Sequence, residues 1–202
     1  GERLLLLGFA GLLLNVGKIR LPDAILQKKE ALTAEEFALV KMHVMHSVEL
    51  VRAAPRLSSS LLEDVVIQHH ERLDGSGYPQ GLRGRQISVD GAIAGLVDSY
   101  SALTSVRPYA EQVSPTAALE TLHKVRGTLF SELLVEKFIQ CTGVYPVGST
   151  VELNSGEIGI VIAQNLEFRL RPRVMLHRDA DLQPIRPPVI LDLVKEPRAT
   201  PG

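Results

Sequence analysis

His69-His70-Glu71-Arg72-Leu73-Asp74-Gly75-Ser76-Gly77-Tyr78-Pro79 is the stretch on which the reading of this chain turns. Two adjacent histidines close an apolar run, Leu61 to His70, whose pattern predicts a helix, and a glycine-dense loop follows at once. Neighbours on a helix point about 100° apart, because 3.6 residues make a turn. The two imidazoles therefore suit a cluster of metals, one ring to each ion, rather than one closed site of the i, i+4 kind. Two polar residues at a helix end would read the same way. Glu71 is placed to orient a metal ligand from behind. The glycines allow positive φ and close backbone approach, and Tyr78 can bury its ring and keep its hydroxyl at a rim. Such a loop either frames a site or is simply tight, and the residues alone leave both readings open.

Upstream, His43 and His46 stand at i, i+3 and share a helix face, each a candidate ligand or an ordinary boundary residue. Downstream, Asp98 interrupts the apolar run Ala94-Gly95-Leu96-Val97. A buried carboxylate there needs a partner or a metal, since an isolated buried charge costs several kcal/mol. Lys18, Arg83, Arg85 and Arg107 are cations that a phosphate would use; each alone is more often a solvated surface residue. Arg169, Arg171 and Arg173 alternate as on an extended segment and read as a solvated face.

The chain's 202 residues, 45% of them apolar, suffice for one substantial core with a small appendage. A net charge of -1 gives no bulk case for DNA or anionic membrane. The one cysteine, Cys141, excludes an internal disulfide, fits a reducing compartment, and is expected buried in its apolar run. Leu4 to Val16 is uncharged yet shorter than the roughly 20 residues that span a bilayer, so a buried core helix is expected rather than a membrane span. The chain opens without Met, as a domain cut from a longer protein would.

Residues 4–14 read as helix, and a short turn-helix follows around Ala24 to Leu26. Thr33-Ala34-Glu35-Glu36 fits a capping box, and it opens a helix carrying Phe37, Val40, Val44, Val48 and Val51 that Pro55 ends. Ala92 to Leu103 is a further helix, and Pro115 to about Cys141 reads as two more. The pattern changes at Gly143. Val151–Leu153 and Ile158–Ile162 flank Asn154-Ser155-Gly156 as a β-hairpin, with Arg173–His177 and Val189–Val194 as further strands. Pro184, Pro187 and Pro188 punctuate the end.

In order, Leu13-Leu14-Asn15-Val16-Gly17-Lys18-Ile19, His43, His69-His70-Glu71, Asp74-Gly75-Ser76-Gly77-Tyr78-Pro79 and Asp98 resemble the HD-GYP family, the bacterial metal-dependent phosphodiesterases that hydrolyse cyclic di-GMP. Leu21-Pro22-Asp23, Leu32 to Phe37 and Ala102 to Tyr109 are also similar to that family's connecting segments. The resemblance implies a mainly α fold, an HD-type helical bundle over residues 1–142. A small antiparallel β subdomain follows over 143–195, with a frayed tail at 196–202. It implies His43, His69, His70 and Asp98 as metal ligands, with iron or manganese as the metal. It implies Lys18 and Arg107 as contacts to substrate phosphate, and Asp74, Gly75, Gly77, Tyr78 and Pro79 as the motif loop.

The family's first motif is missing. Leu14 stands where the resemblance expects His, and Asn15 where it expects the metal-bridging Asp. Ser101 replaces a second carboxylate expected near Asp98, Val44 a usual Pro after His43, and Ala110 a usual basic residue. Asparagine is nearly isosteric with aspartate, so the change keeps shape and removes charge. The expectation is a cytoplasmic, degenerate domain of cyclic di-GMP signalling, weak or inactive in catalysis, with reduced metal occupancy or none. It would act by binding cyclic di-GMP, its linear product or a diguanylate cyclase (GGDEF) domain, and a homodimer is compatible. Its alternatives are an active phosphodiesterase with a reduced metal set and a purely structural signalling module with an empty pocket.

Overall fold

The computed structural model describes residues 1–55, 59–105, 113–165 and 167–196. Arg107, Ala110 and residues 197–202 of the expected frayed tail lie outside the described residues. The chain divides into two compact units, residues 1–112 with 122–135 and residues 113–121 with 136–202.

The first unit is helical. Its elements are α1 (Glu2–Leu13), α2 (Asp23–Leu26), α3 (Ala34–Lys41), α4 (His43–Arg52), α5 (Ser60–Gln68) and α6 (Val89–Thr104). The core gathers Ala10 and Leu14 from α1 and its end, Val48 and Val51 from α4, and Leu62, Val65 and Val66 from α5. Leu14 is 4% exposed, so this aliphatic side chain belongs to the core, where burial contributes about 1.5–3 kcal/mol. Its neighbours on α1 behave otherwise. The helix expected as buried core hides one face only, leaving Leu4 71% and Leu12 80% exposed. An apolar run cannot show by itself which of its faces finds a partner.

Thr33 caps α3 as expected: the Glu36 N–H donates to Thr33 Oγ1 (3.2 Å) and the Thr33 N–H to Glu36 Oε2 (2.8 Å). The single helix expected from there to Val51 is two, α3 and α4, separated at Met42. At the break the Met42 N–H bonds Leu39 O, and the Val40 carbonyl accepts from the His43 ring at 2.6 Å. A 3-10 turn, Val16–Arg20, lies against α4. Gly17 makes that approach possible, for a Cβ there would sit 2.1 Å from the His43 carbonyl oxygen. The Gly17 N–H donates to Ser47 Oγ (2.8 Å), and the Ser47 hydroxyl donates to Leu14 O (2.9 Å). The strap carrying Asn15 and Lys18 is thereby pinned to the helix that carries His43.

The second unit holds most of α7 (Pro115–Lys124) and α8 (Glu132–Thr142), then four strands: β1 (Thr150–Glu152), β2 (Ile158–Ala163), β3 (Arg173–Arg178) and β4 (Pro184–Asp192). They form one antiparallel sheet in the order β1-β2-β3-β4. Thr150 pairs with Ile160 and Glu152 with Ile158, as the Asn154-Ser155-Gly156 turn predicts. Val151, Leu153, Val161, Val174, Leu176 and Leu193 make its core. Pro184, Pro187 and Pro188 lie inside β4 instead of ending the chain's structure. Among the described residues β4 is an edge strand paired with β3 alone, and proline's missing N–H is tolerated there. Arg169 and Arg171 sit in the turn before β3, so the alternating face expected of them does not form. Cys141, expected buried, is exposed near the end of α8.

Candidate metal centre

Three histidines from distant positions converge. One ligand atom from each of His43, His69 and His70 can be chosen so that all lie within 4.8 Å of one another. Their ring centroids are 5.7 Å (His43–His69), 5.1 Å (His43–His70) and 4.1 Å (His69–His70) apart. Adjacency on a helix had suggested separate ions for His69 and His70. In the structure α5 ends at Gln68, His69 is its cap, and His70 lies in the following turn, with the two rings 4.1 Å apart.

The tautomers follow from backbone partners. His43 Nδ1 lies 2.6 Å from Val40 O, and His69 Nδ1 lies 2.6 Å from Val66 O. A carbonyl only accepts, so each Nδ1 carries the proton and each Nε2 keeps its lone pair. Both Nε2 atoms are buried and without a hydrogen-bond partner. Burial holds all three rings neutral. It pushes His43 and His69 below the ordinary imidazole range, and it takes His70 to about 2, helped by the repulsion that a protonated His69 or His43 would exert and by the charges of Arg72 and Lys18. Neutral imidazoles with buried, unshared lone pairs are what a divalent ion needs from its ligands. The three histidines fit such an ion, and they do not select its identity. His46, the other helix candidate, is outside the group and lies 3.8 Å from Glu49.

Asp98 does not join that mutual set among the described residues. It is half-buried, not buried, and its charge still reaches His43 and His69. Its partner is Asn15, whose Nδ2 donates to Asp98 Oδ1 at 2.8 Å. An ionised carboxylate only accepts, which fixes the amide's NH2 toward Asp98 and leaves Asn15 Oδ1 buried without a partner. Leu14, beside it, brings no lone pair.

The loop is tied to the histidines. The Tyr78 ring stacks on His70 (4.6 Å between centroids, 22° between planes), and the Tyr78 N–H donates to His70 O (3.2 Å). Burial raises the Tyr78 hydroxyl to about 12, so it is a hydrogen-bond donor and not a base at neutral pH. Glu71 does not orient a ligand. Its two carboxylate oxygens accept from the N–H groups of Gln80 (2.7 Å) and Leu82 (2.8 Å), clamping the loop. Gly77 is needed for close approach, because a Cβ there would meet Arg72 N at 2.4 Å and Glu71 Cα at 2.5 Å. Asp74 closes a local turn by accepting from the Ser76 N–H (2.9 Å) and hydroxyl (2.6 Å), and it takes no part in the histidine cluster.

Arg72 was missed by sequence reasoning. It donates to His69 O (3.1 Å) and Ser99 Oγ (3.3 Å) and lies over the Phe130 ring at 4.8 Å, sewing the histidine turn to α6. Its position inside the histidine-to-glycine motif was the available signal. Lys18 lies on the pinned strap, and its charge acts on His43 and His70. A pocket of about 270 Å³ adjoins the cluster. Lys18, His43, His70 and Tyr78 supply its polar groups; Ile25, Leu26, Leu32, Phe37 and Val40 complete the wall. A second cavity of about 270 Å³ is lined by Leu14, Asn15, Asp98 and Ser101 among apolar residues of α1 and α6. Arg107 lies outside the described residues.

This helical bundle with a histidine cluster and clamped glycine loop is an HD domain: the family model described as HD domain matches residues 2–132. The chain belongs to that family. A model described as a KOW domain associated with HD domain matches residues 150–200, over the β sheet.

Among known proteins the chain is similar to the cyclic di-GMP phosphodiesterase PA4108 of Pseudomonas aeruginosa, at 38% identity over 92% of this chain and 44% of that protein. It is 37% identical to a cyclic di-GMP phosphodiesterase of Thermotoga maritima, over 65% of this chain and 36% of that one. The chain thus spans under half the length of these curated relatives. The solved structure of Bd1817, a HDG"Y"P protein from Bdellovibrio bacteriovorus, superposes with a TM-score of 0.52 at 18% identity, covering 65% of this chain and 41% of that one. That likeness bears on the fold alone. Among the described residues no helix is long and apolar enough to cross a membrane.

Proposed function

We propose that this chain is a binding domain of cyclic di-GMP signalling, weak or inactive as a phosphodiesterase, that retains one metal position and has lost its neighbour. The observation that carries this reading is the Asn15 Nδ2 to Asp98 Oδ1 hydrogen bond of 2.8 Å. A carboxylate at position 15 would pair with Asp98 only through a cation between them. The amide places its own positive N–H end there and makes the cation unnecessary. Leu14, packed in the core, cannot replace a lost ligand.

His43, His69 and His70 are the residues that would hold the remaining ion, with iron or manganese as the expected occupant. A bound ion of this kind supplies Lewis-acid polarisation of a phosphoryl oxygen. The other contributions come from the chain itself. Lys18 offers a cation to an anionic phosphate, Arg107 is its expected companion, and the protonated Tyr78 hydroxyl is a donor on the pocket wall. Asn15 has no basic group at neutral pH and cannot take a proton from water. The ligand is cyclic di-GMP or its linear product. Met42 and Met45, exposed beside the Gly-Tyr-Pro loop, offer a protein partner such as a diguanylate cyclase domain an apolar foothold.

The second reading, an active phosphodiesterase with a reduced metal set, is favoured by the convergence of the three histidines. One experiment separates them. Manganese- or iron-loaded protein is incubated with cyclic di-GMP and the products are separated by chromatography, beside Leu14→His/Asn15→Asp. The binding reading expects no linear product from the natural chain, a higher metal-to-protein ratio in the double variant, and turnover there. Turnover by the natural chain establishes the alternative.

A further inference from the structure

We infer that Arg72 is a positioning residue of the metal centre: its guanidinium fixes the turn that sets the rings of His69 and His70 for one ion. The inference rests on the metal position proposed above and concerns what holds its geometry. Two of the three ligands stand side by side at the end of α5 and in the turn that follows, so their ring directions depend on how that turn is held. Its three successive carbonyls are each engaged. Arg72 Nη1 donates to His69 O (3.1 Å) and to Glu71 O (2.8 Å), and the Tyr78 N–H donates to His70 O (3.2 Å). A terminal guanidinium nitrogen carries two hydrogens, one for each carbonyl. His69 is then held at both ends, by its carbonyl and by the Nδ1–H bond to Val66 O (2.6 Å).

The guanidinium is itself braced. Nη2 donates to Ser99 Oγ (3.3 Å), and the Ser99 hydroxyl donates to Gly95 O (2.7 Å) on α6. Its central carbon lies over the buried Phe130 ring, 4.8 Å from the centroid. The next residue, Leu73, donates its N–H to Leu129 O (3.1 Å), so the turn between α7 and α8 holds both residues. α6 comes close because residue 95 is glycine: a Cβ there would meet His69 O at 2.4 Å. A planar fork that serves two carbonyls and a hydroxyl at once is a task that a single ammonium on a flexible stem does not perform. Electrostatics oppose the arrangement. A fixed positive charge repels a dication, and the Arg72 charge already disfavours protons on His69 and His70. Geometry is therefore what the side chain contributes, and the two effects have opposite signs when the charge is removed.

Arg72→Gln tests the sign. Manganese and cobalt affinities are measured by competition with a chelating dye, cobalt(II) absorption reports the ligand geometry, and melting in chelator reports the fold. Arg72→Gln and Arg72→Lys are expected to bind both metals about tenfold or more weakly, with the cobalt band displaced from that of the natural chain. Phe130→Leu, which keeps apolar volume and removes the ring beneath the cation, should move both readouts the same way by less. Val51→Ala, a core truncation away from the turn, should lower the melting temperature and leave the cobalt band unchanged. Tighter metal binding by Arg72→Gln would show that the charge alone matters and overturns the inference. So does a lowered melting temperature in the Arg72 variants with natural affinity and an unmoved band. Absence of metal binding by the natural chain removes the metal reading and this inference with it.

Discussion

Asn15 donates its amide N–H to Asp98 across 2.8 Å, linking the strap after α1 to the middle of α6 over 83 positions of sequence. The bond explains how a half-buried carboxylate persists beside the histidines. Asn15→Asp in metal-free protein replaces it with two facing carboxylates, losing a charge-assisted hydrogen bond and adding repulsion. A stability loss of about 1–3 kcal/mol is expected in denaturant titrations with chelator present. Added manganese should reverse it. An unchanged midpoint in chelator would show that the bond contributes nothing.

Metal retention divides the histidines. His43→Ala or His69→Ala removes one of three convergent ligands, and metal content after desalting, read by mass spectrometry, should fall to near background. His46→Ala, outside the group, should leave the ratio at the natural level. Equal losses for His46 and His69 would mean that the convergence is not the binding site.

Glu71 predicts a separation between loop order and metal. Its carboxylate accepts from Gln80 and Leu82, so Glu71→Gln leaves one oxygen able to accept and turns the other into an unmatched donor. Hydrogen exchange at those two amides should speed up by about tenfold or more, equivalent to the loss of ~1.5–3 kcal/mol from a bond to a charged group. Metal content should not change. A fall in metal with unchanged exchange would restore the ligand-orienting role that the structure denies it.

Stability of the metal-free protein should fall as pH drops below about 6.5. The sign follows from the buried imidazoles: folded His43, His69 and His70 all sit below their ordinary value of 6.5. Between that value and the folded ones the unfolded chain binds more protons, so acid favours unfolding. Each ring contributes up to about 1.4 kcal/mol per pH unit in that window and nothing above it. Melting temperatures should be flat from pH 7.5 to 8.5 and fall from 6.5 to 5.5, with a shallower fall in His70→Gln. Equal slopes in the two proteins would mean that His70 does not stay neutral.

Local chemistry was enough to read several elements from the chain itself. The Thr33–Glu36 cap, the hairpin at Asn154-Ser155-Gly156 and the spread of helices before Gly143 each depend on neighbours a few residues apart, which the sequence displays directly. The motif around His69 and Tyr78 likewise pointed to the family, because its residues are contiguous. Other features depended on partners the sequence does not display. A run of leucines in α1 could not reveal which face would be covered. The prolines near the C-terminus read as an ending until β4 proved to be an edge strand, where a missing N–H is harmless.

Leu14 and Asn15 as residue types, the absence of charge at that pair, and the presence of His43, His69 and His70 were determined by the sequence alone. Their meaning was decided by the tertiary structure. Where α5 ends sets whether His69 and His70 diverge or face one point, and helix ends depend on packing as much as on propensity. Glu71 became a loop clamp because two backbone N–H groups nine and eleven residues away needed an acceptor. Asn15 acquired its role from Asp98, a residue on another helix that only folding brings within hydrogen-bonding distance.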